Sequence, residues 1–71
     1  MIQPGQTYRS CKPSDKGFRI RIITVGATMA RAVNAATGRP LLDQIMLHNL
    51  HDSPTTKNGQ PRRTGYVLET P

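Results

Sequence analysis

The side chains in this sequence that could do chemistry are few and scattered. One cysteine, Cys11, stands with two histidines, His48 and His51, and four carboxylates, Asp15, Asp43, Asp52 and Glu69. Cys11, His48 and His51 with Asp43 and Asp52 could form the start of a metal set. An H-x-x-H pair and one distant thiol match no standard zinc spacing, so neither a metal nor any cofactor is expected. A thiol nucleophile needs a recognisable motif with a base held close to it, and Cys11 has none. The carboxylates are dispersed, and three stand beside turns, where local hydrogen bonding or solvation accounts for them. None of the glycine patterns that cradle phosphate occurs. The expectation is a protein that is not an enzyme and has no small-molecule substrate.

Cationic residues dominate instead. Ten Lys and Arg face four Asp and Glu, a formal net charge of +6. Such an excess draws polyanions by long-range attraction and by release of their counterions. Arg19 and Arg21 alternate with isoleucines and would share one face of a strand, about 7 Å apart, a spacing able to straddle neighbouring phosphates. The bland alternative for this pair is a solvated face. Lys57, Arg62 and Arg63 lie in a stretch without large apolar residues and read as a basic arm that could follow a backbone or enter a groove. Tyr66 follows Arg63 closely and could stack on a base, or it could be a core or rim tyrosine; Tyr8 is a second possible stacking group.

The elements that must position these residues read as short strands. Residues 5–11 form a first strand, with Gln6, Tyr8 and Ser10 on one face and Thr7, Arg9 and Cys11 on the other. Pro13-Ser14-Asp15-Lys16-Gly17 is a turn: proline fixes φ, aspartate supports it locally and glycine accepts positive φ. Residues 18–25 carry the clearest period-2 pattern, Phe18, Ile20 and Ile22 against Arg19 and Arg21. Ile22 and Ile23 break it, which calls for a β-bulge or burial on both faces. A turn at 26–28 and a return strand at 29–34 complete a hairpin, and 35–38 turn again. The segment 41–50 fits two readings: a helix with Pro40 at its first position, or a strand at 43–47 followed by a helical turn. Residues 52–63 hold no large apolar side chain and read as a long polar loop, with 53–62 the most mobile internal stretch. Tyr66-Val67-Leu68 restores a strand.

A chain of 71 residues, 35% hydrophobic and without tryptophan, makes one domain spanning 1–71. A domain of this size buries only about 60% of its unfolded surface. Phe18, Ile20, Ile22, Val33, Ile45, Leu47 and Val67 are the expected core. The lone cysteine excludes an internal disulfide, and the first residues show no basic-then-apolar leader, so a cytoplasmic protein without membrane contact is expected. The fold class is mainly β: four to five antiparallel strands curled into a small barrel, with a short helical turn near 47–51.

The order Gly5-Gln6-Thr7-Tyr8, Pro13, Gly17-Phe18-Arg19-Ile20-Arg21-Ile22, Ala30, Val33, Thr37-Gly38-Arg39, Ile45, Leu47 and Leu50, with the tail 58–68, resembles a group of small uncharacterised actinobacterial and phage proteins that look like SH3-type barrels. The resemblance covers most of the chain, implies an SH3-like barrel with a strand at 43–47, and brings no established activity. The acidic loop and paired aromatics with which SH3 domains grip proline-rich peptides are missing. The expected function is a basic binding module that contacts nucleic-acid phosphates, of DNA or RNA, through Arg19, Arg21, Lys57, Arg62, Arg63 and Tyr66. The competing expectation is a protein-interaction module of phage type, whose basic surface meets an acidic protein surface on a host enzyme or polymerase.

Overall fold

Alternation of apolar and charged residues builds the centre of the sheet. A computed structural model describes residues 2–70. In it Thr7–Ser10 (β1), Arg19–Val25 (β2) and Met29–Asn34 (β3) form an antiparallel meander. Tyr8, Ile20, Ile22, Ala30 and Ala32 point to one side and are buried, while Arg9, Arg19, Arg21 and Arg31 point to the other. This is the half-buried pattern expected of strands that cover a core on one face only.

Short hydrogen-bonded turns join these strands. Pro13–Asp15 is a single 3-10 turn ending in Lys16 and Gly17, both at positive φ (50° and 79°). Ser10, buried at the end of β1, donates from Oγ to Asp15 Oδ2 and anchors that turn to the sheet. After β3, the Asn34 side chain accepts from the backbone N–H groups of Ala36 and Thr37, capping the 35–38 turn.

The ambiguous segment 41–50 forms no helix. Pro40 bridges Val33, Ile45–Met46 (β4) pairs with β3, a 3-10 turn spans Leu47–Asn49, and Leu50–His51 (β5) follows. Tyr66–Thr70 (β6) pairs antiparallel with β1 and parallel with β5. The sheet order is β4-β3-β2-β1-β6-β5. Its two edges, β4 and β5, are thus halves of one stretch of chain broken by the 3-10 turn. That turn carries the backbone from one edge to the other and curls the sheet into a nearly closed barrel, compatible with a small SH3-like barrel. The strand count is six because of this break, and the β5–β6 pair is parallel.

The core is a cluster of Tyr8, Ile20, Ile22, Ala30, Ala32, Ile45 and Leu50, with Phe18, Leu47, Tyr66 and Leu68 packed half-buried against it. Two expectations need correction. Val33 is not a core residue: it pairs with the outward Arg21, and the alternation sends Ala32 and Ala30 inward instead. Tyr8 is no stacking group, because it is 0% exposed and lies at the middle of the core. Its hydroxyl donates to Gln6 Oε1, and burial raises its pKa, with Asp52 adding to the shift. Val67 is buried as expected but on the other side of β6, since its neighbours Tyr66 and Leu68 face the core cluster.

The polar connection 52–65 folds back on itself through its backbone. Thr55 bridges Pro61, the Thr56 N–H donates to Gln60 O, and the Arg62 N–H donates to Pro54 O, so the chain folds back on itself. Backbone hydrogen bonds supply what apolar anchors do not. The connection ends at Gly65, whose φ is +77° and where a Cβ would lie 2.8 Å from Asn49 O and 3.0 Å from His51 Nε2. Both the conformation and the space demand glycine. Gly65→Ala is expected to cost about 2 kcal/mol, which lowers the melting temperature by roughly 10 °C in a domain of this size. Thermal unfolding followed by circular dichroism measures this, and an unchanged midpoint would show that β5 and β6 do not approach so closely.

Candidate nucleic-acid interface

Strand register decides which cations meet. Arg9 lies opposite Arg19 across β1 and β2, and Thr7 lies opposite Arg21. The next strand places Val67 beside Arg9, and His51 follows beside Val67. One row on the outer face therefore runs Arg19, Arg9, Val67, His51 across four strands, with Arg21 next to it on β2. Directly opposed side chains stand about 5 Å apart at Cβ, and alternate residues along a strand about 7 Å apart.

Glu69 organises this row. Its Oε1 lies 2.7 Å from Arg19 Nε, and its Oε2 lies 3.9 Å from Arg9 Nε. One carboxylate thus holds two guanidiniums side by side. Among the described residues no other carboxylate comes within ion-pairing distance of a Lys or Arg, so Arg21, Arg31 and the lysines are uncompensated at that range. All ten basic side chains are exposed except Arg62, which is half-buried.

The residues read from the sequence fall into separate places. Arg19 and Arg21 do share an exposed face. Arg9 joins them, a neighbour that only the register of β1 against β2 reveals. Lys57 sits in the exposed turn of the folded-back connection, and Arg63 is exposed just before β6. Arg62 is not part of a free arm. Its Nε donates to Ser53 O at 2.9 Å while its backbone N–H donates to Pro54 O, so it clasps the connection shut. Tyr66 packs against the core cluster and lines an open groove with Met29, Met46 and Asn49. Burial raises its pKa, with the charge of Asp15 adding to the shift. Its position is on the inner side of β6, opposite to the arginine row.

The remaining chemistry-bearing groups do not converge. Cys11 is half-buried as a free thiol, and no group of three or more His, Cys, Asp or Glu gathers among the described residues. Among the described residues no helix is long and apolar enough to cross a membrane. Comparison with known protein families, with curated proteins and with solved structures finds no match, so the site is read on its own geometry.

His51 reports on how close the connection comes to the row. Desolvation lowers its pKa first, then the charge of Arg62, then that of His48, with Asp52 opposing them. Its folded pKa lies below the ordinary 6.5, so it contributes stability that is present above that value and is lost as pH falls below it. A proton NMR titration should give His51 a midpoint below 6.5, and Arg62→Gln should move that midpoint upward. A midpoint that ignores the substitution would place Arg62 away from the β5 end of the face.

Proposed function

We propose that this protein is a small basic binding module whose outer sheet face grips the phosphate backbone of a nucleic acid. The observation that carries this reading is the cluster of Arg9, Arg19 and Arg21 on one exposed face, where Glu69 is the only carboxylate in ion-pairing reach among the described residues. Guanidiniums held at such spacings suit phosphate oxygens, which take parallel N–H donors. Glu69 contributes by fixing the two guanidiniums it touches, so less side-chain freedom is lost on binding.

Binding of this kind reads charge and backbone shape rather than base sequence. No aromatic side chain stands on the arginine row, since Tyr8 is buried and Tyr66 is on the inner side. Duplex is therefore the expected substrate ahead of single strands, whose binding draws on base stacking. Lys57 and Arg63 add to the attraction from the connection without forming part of the row.

The test is a fluorescence titration against a generic duplex over a range of salt. Each phosphate neutralised adds about 0.9 to the log–log salt slope. Arg19→Gln with Arg21→Gln should weaken binding and flatten the slope by about two. Both side chains are exposed, and loss of the Arg19–Glu69 pair should cost below about 1 kcal/mol of stability. An unchanged slope would remove the β2 arginines from the interface. Absence of duplex binding by the wild type at low salt would transfer the basic face to an acidic protein partner.

A further inference from the structure

A second feature of the outer face borders the arginine row at Arg21. β3 is flanked by irregularities on both sides, and both fall at the same residue. On the β2 side Ile22 pairs with Ala32 and Thr24 with Arg31, so Ile23 is an extra residue that bulges outward. On the other side Leu41 N–H donates to Ala32 O, and pairing resumes at Ile45 with Ala30. Leu42, Asp43 and Gln44 therefore stand opposite Arg31 alone and swing away from the sheet. Bulges re-aim side chains and are favoured next to binding sites.

Between the two bulges lies a groove of about 280 Å³, lined by Ile23, Arg31, Val33, Pro40, Leu42 and Asp43 among others. Two large apolar side chains stand exposed on its rims. Leu42 is 103% exposed and Ile23 44% exposed, although neither position is needed for the core cluster. An apolar patch rimmed by charge marks a contact site more often than a stray exposed leucine does. The volume lies just below that of clefts that enclose small molecules and suits one or two large side chains.

We propose that this groove docks an acidic peptide segment of a partner protein, one that presents a large apolar side chain between carboxylates. The apolar side chain would sit between Ile23 and Leu42 over Val33 and Pro40. Charge complementarity selects the flanking residues. Arg31 lines the groove, and Arg21 lies opposite Val33 on its β2 side, a diagonal step of roughly 7–8 Å from Arg31. Neither arginine has a carboxylate within ion-pairing distance among the described residues. Asp43 stands on the opposite lip, so both flanking carboxylates of the peptide turn toward the Arg31 and Arg21 side.

The experiment uses the full chain and an array of short labelled peptides. Each holds two glutamates on either side of a central position that is Leu, Phe or Ser, and a matched set replaces the glutamates by glutamine. Fluorescence anisotropy should give the best Leu- or Phe-centred acidic peptide at least about tenfold tighter binding than its Ser-centred counterpart, as burial of one large side chain allows. Leu42→Ser should abolish that difference. Leu42 is fully exposed, so the variant keeps its fold, and its duplex affinity should stay unchanged. Arg31→Gln should weaken the acidic peptide about fivefold and leave the glutamine set unaffected. Equal binding of Leu-, Phe- and Ser-centred peptides would overturn the proposal by reducing the contact to bulk charge. A concentration-dependent dimer that Leu42→Ser converts to monomer would give the groove to a second copy of this chain, and competition by a single-stranded oligonucleotide that Leu42→Ser relieves would give it to nucleic acid; either overturns it too.

Discussion

Tyr8 is the point on which the architecture turns. Its strand pairs on both sides, with Ile20 across one ladder and Leu68 across the other, and its ring is wholly buried. A chain with 35% hydrophobic residues cannot cover two faces of a sheet. It covers one, and the strands curl until that face encloses itself. The large area of a buried tyrosine does for this core what a tryptophan or several phenylalanines do in richer sequences. Once Tyr8 is inside, Thr7 and Arg9 must be outside, and the arginines of β2 are drawn into line with Arg9 by the register.

The outer face therefore divides by consequence rather than by chance. Where the ladders are regular, across β1 and β2, long cations stand in rows and Glu69 fastens two of them. Where the ladders fail, on either side of Arg31, the sheet opens into an apolar groove. The same single-sided burial explains both halves, because residues excluded from the core are left to face water or a partner. The two halves share a border at Arg21, which lies opposite Val33.

Much of this was legible in the sequence where the signal is local. The Phe18–Val25 alternation, its break at Ile22-Ile23, the proline–glycine turn and the return strand depend on neighbours along the chain, and they form as read. Segment 41–50 was balanced between helix and strand because Leu42, Ile45, Met46 and Asn49 satisfy helical spacing. Pairing with β3 decided against the helix, and the 3-10 turn absorbed the remainder. Tyr8 reads as a possible stacking group in the sequence, because its burial depends on the pairing of β1 on both sides. The fold-back within 52–63 is not legible in the sequence, because it rests on backbone hydrogen bonds that carry no side-chain signature. Arg9 and the paired bulges at Arg31 are long-range facts of register, and no spacing within one segment announces them.

The central claim is that the β1–β2 arginine row, rather than the 52–65 connection, is the surface that meets a polyanion. Amide chemical-shift mapping on addition of a short generic duplex at low salt tests it most directly. The largest shifts are expected on Arg9, Arg19, Arg21 and their strand neighbours, with smaller ones at Lys57 and Arg63. Shifts confined to 57–63, with β1 and β2 unmoved, would contradict it.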